Sequence, residues 1–388
     1  MFARSGRVPF SAPNASDGVS AMHESSVKRH VAVVGGGVMG CAIAYQLARS
    51  GLHVSLIERD AIAAHASGRN AGCLNPLHGT PPALVPFALE AFRIHKEIRA
   101  ELEQLGCANY VPLPVKRVHL AHDEADRQRL EEIATLFGTT EGFSSQWLDP
   151  DDLRRIEPRL GPDVAFGVLT EGNLTVDGHD FTCSLADAAV QLGVKILHRQ
   201  ALGVIVSGDS VTGIKTPEGI LPCDEVVLAT GPWVADPNSW LGIKLAVEPV
   251  KGEILLMRLE GKPPCYDFTW GLTSLYQRRA NQVWVGVTMK NCGFDATPTA
   301  EAKNSLLERA SRIMPSITRA TLLDHVGALR PMTPSATPIA CRVDGWQNVY
   351  VANGGGSKGI LLSVGIASRI CNLLLNSCSQ SPRETSVI

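Results

Sequence analysis

Apolar residues follow three rhythms along this chain, and each assigns a different kind of element. The first is the short unbroken run. Val31, Ala32, Val33 and Val34 are too few for a helix and rich in β-branched side chains, so they read as a strand buried on both faces. Residues 53–57, 194–197, 225–229 and 348–352 read the same way. The second rhythm is helical: Val38, Cys41, Ala42, Tyr45, Leu47 and Ala48 share a face, and Gly51 stands where a helix C-terminus uses glycine. Helices are likewise expected over 86–105, 123–137, 149–155, 181–192, 297–314 and 360–375, with Asp149-Pro150 and Thr297-Pro298 as starts. The third rhythm is alternation, over 115–120, 249–257 and 282–288, and in a hairpin turning at Gly208 and Asp209. Within 282–288, Val283, Val285 and Val287 share one face, while Trp284, Gly286 and Thr288 share the other.

These rhythms are not mixed at random. The unbroken runs and their helices fall in 29–100, 165–245 and 325–376, which predicts an α/β, Rossmann-type nucleotide-binding domain discontinuous in sequence. The alternating strands fall mainly in 101–164 and 246–324, which predicts a second, α+β domain for the substrate, an antiparallel or mixed sheet covered by helices. Residues 1–28 lack periodicity and read as a disordered leader, with Met22 an alternative start; 377–388 read as a mobile tail.

Composition narrows the function. A net charge of -2 over 388 residues gives no basic footprint for nucleic acid. No apolar run is expected to reach the ~18 residues of a membrane span. The leader has no apolar core of a secretory signal, and the 10 cysteines contain no C-x-x-C pair, so metal centres are not indicated and a reducing, cytoplasmic setting is expected.

The chemistry begins where the first strand ends. Gly35, Gly37 and Gly40 have the G-x-G-x-x-G spacing, which serves a tight turn, close approach of backbone to a pyrophosphate, and close packing of helix on strand. Glu58 ends the next strand, 18 residues after Gly40, where a carboxylate accepts hydrogen bonds from ribose hydroxyls. Ser67, Gly68, Arg69, Asn70, Ala71 and Gly72 form a second small-residue, donor-rich loop, which argues for a cofactor larger than an adenosine half. Gly354, Gly355 and Gly356 precede the last helix, whose N-terminus favours negative charge beside it.

Six motifs in order resemble the FAD-dependent amino-acid oxidoreductases of the glycine oxidase and D-amino-acid dehydrogenase type. They are G-G-G-V-M-G with Glu58, S-G-R-N-A-G from Ser67, V-V-L-A-T-G-P-W from Val226, P-V-K-G-E from Pro249, A-L-R-P-M-T-P from Ala328 and G-G-G-S-K-G-I-L-L from Gly354. The segment N-A-G-C-L-N-P-L-H also resembles the flavin-bearing β subunits of opine oxidases and hydroxyproline dehydrogenases.

The resemblance implies FAD bound along Gly35, Gly37, Val38, Met39 and Gly40, with its adenosine ribose on Glu58, Arg59 among the cofactor residues, and Leu202 giving backbone contacts to adenine. It implies that Thr230 and Gly231 approach the pyrophosphate and ribityl chain, with Trp233 also among the cofactor residues, that the loop from Ser67 to Gly72 runs beside the flavin, and that Gly356, Ser357, Lys358, Gly359 and Ile360 face its pyrimidine edge. Lys358 would stabilise the charge of the reduced flavin. Arg330 matches the position that holds the substrate carboxylate, with a structural salt bridge as its alternative role. Ala328 stands where sarcosine oxidases carry a flavin-linking cysteine, so the FAD is expected to be noncovalent, and Trp284 falls on the strand where they place an oxygen-activating lysine. His65 is read as a loop histidine.

The implied reaction is oxidative deamination of an amino acid or secondary amine bearing a carboxylate. Oxygen, a partner subunit or a quinone remain open as electron acceptor, as does homo- or hetero-oligomeric assembly. The competing readings are a flavin β subunit of a heteromeric dehydrogenase, an NAD-dependent dehydrogenase, and a flavin-binding subunit without turnover.

Overall fold

The computed structural model describes residues 29–278 and 281–376. The leader, the alternative start at Met22 and the tail lie outside the described residues. Strand β1 (His30–Val34), helix α1 (Val38–Arg49) and strand β2 (His53–Glu58) form the unit expected from the first apolar run. Val31, Ala32 and Val33 have no exposure at all, because β1 lies inside a six-stranded sheet with helices on its face.

The order in that sheet is Ile339–Arg342, Val349–Asn353, Glu225–Leu228, β1, β2, Lys195–His198. All neighbours are parallel except the edge strand Ile339–Arg342. Val31 pairs with Glu225 and Val226 with Val349, so three distant parts of the chain meet in register. Helix α1 packs against the helices Gly178–Gln191 and Gly359–Asn376, and their apolar faces share one core with Val33, Leu56 and Tyr350.

The second sheet has nine strands. Its path runs Thr321–Met332, Glu248–Arg258, Gln282–Gly286, Thr273–Gln277, Asp267–Trp270, Leu113–Ala121, Phe166–Thr175 and Cys73–Leu74, with Ser144–Leu148 beside Phe166–Thr175. The helix Ala300–Ile313 closes its core over Leu255, Phe268, Val283 and Val285.

Several boundaries move from those expected. Phe166–Thr175 and all of Thr321–Met332 from His325 onward fall in segments assigned to the nucleotide domain, yet both strands pair along their length in the nine-stranded sheet. The strand from Gln282 ends at Gly286, so Val287 and Thr288 leave it. The helix expected from Thr297-Pro298 begins at Ala300, because the Thr299 hydroxyl accepts the Ala302 N–H as its cap. The helix expected from Phe181 begins at Gly178, since Asp177 accepts the N–H groups of His179 and Asp180.

One helical stretch, Gly356–Asn376, is long and apolar enough by length and composition to cross a bilayer, but Ser363, Ser368 and Arg369 interrupt it, so no unbroken apolar run in it reaches ~18 residues. Its apolar residues Leu361, Ile366, Ile370 and Leu374 are spent on the core against α1 and Val85–Gln104. The nine cysteines among the described residues are all free thiols.

Candidate active site

The two sheets leave a cleft of about 330 Å³ between them, which starts at the C-terminal end of β1 and runs to the face of Thr321–Met332. Its first wall is backbone. Gly35 has φ +113°, and a Cβ there would lie 2.3 Å from the Ala229 carbonyl oxygen. A Cβ on Gly40 would lie 1.8 Å from the Gly35 carbonyl oxygen, so α1 can start this close to β1 only without a side chain. The α1 N-cap Gly37 offers no side-chain acceptor, and one is supplied from outside: the Ser67 hydroxyl accepts the Val38 N–H at 2.9 Å.

Glu58 accepts the Gly36 N–H at 2.5 Å and the Asp60 N–H at 2.8 Å. One bond on each oxygen fixes the carboxylate and leaves further lone pairs for hydroxyl donors. Asn70 is a loop staple: its amide donates to the Ala66 and Ser67 carbonyls and accepts the Gly72 N–H. Trp233 stands between His65, 4.7 Å from centroid to centroid, and the Arg59 guanidinium, 4.7 Å from its ring. The Thr230 hydroxyl is buried in the cleft wall with no partner among the described residues.

The far wall is made of side chains. Arg330 pairs with Val250 across two antiparallel strands, and its guanidinium lies over Gly252, where a Cβ would come within 1.8 Å of Nη1. It donates to the Thr288 carbonyl at 3.3 Å, and no carboxylate among the described residues pairs with it. Burial accordingly pulls its pKa down. Tyr276 and Cys73 line the cleft beside it. Burial, then the Cys73 thiol, pushes the Tyr276 phenol up, which keeps it a neutral donor. Behind them Arg117 donates from Nη2 to Asp267 at 2.9 Å and to the Cys73 sulfur at 3.3 Å, and its guanidinium lies 5.4 Å from the Tyr276 ring.

Of the residues expected at the cofactor, all but Gly40, Gly68, Leu202 and Lys358 line this cleft. Gly40 acts at one remove, as the packing glycine. Gly68 packs against the Ala63 carbonyl. Leu202 is a correction: its N–H is taken by the Lys215 carbonyl at 2.8 Å, and the cleft wall there is Arg199, Gln200 and Ala201. Lys358 is the second correction. Its ammonium donates to the Asn75 and His78 carbonyls at 2.8 and 2.7 Å, because it is drawn into the loop behind the cleft, and burial lowers its pKa to about 8.

Cys73, Arg117, Gly252 and Tyr276 were missed as site residues. Cys73 stood in the N-A-G-C-L-N segment and Gly252 in P-V-K-G-E, so their positions were visible. Their duties depend on which strands become neighbours, and spacing along the chain carries no trace of that.

A backbone cradle for a pyrophosphate, continuous with a pocket that presents a guanidinium without a carboxylate partner, is the layout of a dinucleotide-dependent oxidoreductase. The chain belongs to the FAD-dependent oxidoreductase family, whose model matches residues 30–373. It is 29% identical over 353 residues to the glycine oxidase of Pseudomonas putida, covering 90% of this chain and 95% of that one. It is 28% identical to a hydrogen cyanide synthase subunit of Pseudomonas protegens, covering 86% and 89%. The structure of glycine oxidase from Geobacillus kaustophilus superposes with a TM-score of 0.83 at 26% identity, over 90% of this chain and 95% of that one. The protein is therefore an FAD-dependent oxidoreductase of Rossmann-type fold, and the residues present fit that cofactor: the glycine cradle has no room for side chains, Glu58 retains acceptor capacity, and Thr230 has an unused hydroxyl in the wall.

Proposed function

We propose that this enzyme oxidises the C–N bond of an amino acid or secondary amine that bears a carboxylate, with noncovalent FAD as its cofactor. The reading is carried by Arg330, a cation turned into the cleft that donates to a carbonyl at 3.3 Å and meets no carboxylate among the described residues. Leaving a buried charge without a counter-ion costs several kcal/mol, so an anion from outside is the natural occupant. A guanidinium grips a carboxylate by two parallel hydrogen bonds, and that grip fixes the adjacent α-carbon.

FAD, when bound, supplies the hydride acceptor. The chain's own work is placement. Arg330 orients the carboxylate, neutral Tyr276 offers a hydroxyl beside it, and the apolar walls favour the uncharged amine, whose lone pair assists departure of hydride from the α-carbon. The resulting imine is released to water. Lys358 acts from behind the wall, as a positive charge one loop away from the cleft. Free thiols throughout the described residues support a reducing, cytoplasmic site of action.

Anaerobic mixing with a panel of carboxylate-bearing amines, followed by flavin absorbance, tests this reading. Bleaching by at least one amino or imino acid, and not by the matching decarboxylated amine, is expected. A flavin that no carboxylate amine bleaches overturns it.

A second reading keeps the chemistry and changes the acceptor: a flavin subunit that passes electrons onward. It is favoured by Trp284 on the strand expected to carry an oxygen-activating lysine and by similarity to a protein named as a synthase subunit. Peroxide formed by the isolated chain speaks for oxygen; turnover with an artificial dye alone speaks for the subunit.

A further inference from the structure

The segment P-V-K-G-E works on both faces of its strand. Gly252 faces the cleft and seats Arg330. Lys251 and Glu253 flank it on the opposite face, each 2% exposed and 3.5 Å apart, and two charges buried side by side call for a physical reason. Together they hold one loop. Beyond Gln282–Gly286 the chain runs through 287–299 without helix or strand, save one bridge at Lys290, until Ala300–Ile313 begins. Lys290 and Lys251 exchange backbone hydrogen bonds of 3.0 and 2.9 Å, and the Thr288 hydroxyl accepts the Glu253 N–H at 2.8 Å, which pins the outgoing arm. The Lys251 ammonium donates to the Thr297 carbonyl at 2.9 Å, and Glu253 accepts the Thr299 N–H at 2.8 Å, which pins the returning arm.

The tip between those arms is held differently. Gly293, at φ +59°, turns the chain, and the Phe294 ring stacks on Trp233 with 6.1 Å between centroids. Trp233 follows Glu225–Leu228 of the other sheet, lines the cleft and is steadied there by Arg59 and His65. At its root the loop stands on the opposite wall, where Val287 lines the cleft and the Thr288 carbonyl receives Arg330. The chain from Val287 to Phe294 therefore passes from one wall to the other.

Among the described residues, no hydrogen bond or ion pair joins 289–296 to the six-stranded sheet or its loops, so the crossing is closed by the ring pair. Phe294 is 53% exposed, which makes that contact shallow. Firm arms and a shallow tip let the crossing open without disturbing either sheet.

We propose that residues 287–299 form a strap whose tip, Phe294 on Trp233, gates the exchange of FAD: the cofactor enters and leaves when this ring pair parts. The proposal rests on the family's cofactor and not on the amine reading. Because the latch joins two protein side chains and not protein to cofactor, weakening it speeds entry as well as exit and leaves the affinity nearly as it was.

FAD exchange is the measurement. Release is followed by timed ultrafiltration of the holoenzyme and absorbance of the retained flavin; association is followed by the change in flavin fluorescence on mixing FAD with protein stripped of it. Phe294→Ser, at a half-exposed and therefore tolerant position, is expected to raise both rate constants at least fivefold while Kd moves less than threefold. Phe294→Trp, which restores a ring, is expected to keep both within twofold of wild type. In a Trp233→Leu background the latch is already gone, so adding Phe294→Ser is expected to change release less than twofold. Wild-type release from Phe294→Ser overturns the strap. So does faster release with unchanged association, which makes Phe294 a plain contact of the bound cofactor, and so does a full fivefold effect of Phe294→Ser in the Trp233→Leu background.

Discussion

The two ends of the cleft are built by opposite means. At the end near β1 the wall is backbone: Gly35, Gly36 and Gly37 with the first turn of α1, where what matters is that side chains are missing. At the far end the wall is side chains, Arg330, Tyr276 and Cys73, brought from three strands of one sheet. The first end is specified between Gly35 and Glu58, within one strand–turn–helix–strand unit; the second needs the chain from Cys73 to Arg330 to fold before it exists. A backbone site tolerates no added atom, whereas a side-chain site tolerates changes that preserve charge and reach.

Gly40→Val breaks the backbone end most severely. Its Cβ would fall 1.8 Å from the Gly35 carbonyl oxygen, so loss of FAD-loaded soluble protein is expected, read as absent flavin absorbance in the purified fraction. Next comes the side-chain end. Arg330→Met should retain FAD while kcat/KM on a carboxylate amine falls by ~2–4 kcal/mol of transition-state binding; unchanged kinetics would remove Arg330 from the substrate. Gly252→Ala sharpens the point, because it leaves the guanidinium in the chain but takes its space. A loss approaching that of Arg330→Met, with KM rising more than kcat falls, is expected, and wild-type KM would contradict the packing.

Glu58→Gln is milder. It keeps an acceptor oxygen and loses the charge, so FAD retention after dialysis should weaken by ~1–2 kcal/mol; equal saturation of mutant and wild type would count against the ribose contact. The smallest effect belongs to Lys358. With its pKa lowered to about 8, the charge is present below that pH and lost above it. The wild-type flavin potential should therefore exceed that of Lys358→Met at pH 7, and the gap should narrow as pH rises past 8; a gap independent of pH would remove Lys358 from the flavin's field.

The nucleotide half was legible in the order of residues because its signals are local. An unbroken apolar run, glycines at fixed offsets and an acid at the end of the next strand act within neighbouring elements, and each constraint is steric or a matter of one or two hydrogen bonds. The same locality explains the boundaries that moved: the caps at Asp177 and Thr299 depend on which side chain reaches a free N–H, a matter of one or two residues. The remainder waited on the folded chain. Membership of Phe166–Thr175 and Thr321–Met332 in the larger sheet, the seat of Arg330 on Gly252, and the capture of Lys358 by two loop carbonyls all depend on contacts between residues far apart in the chain. Alternation along a strand says which side chains share a face, but the identity of the neighbouring strand is set by packing of the whole molecule.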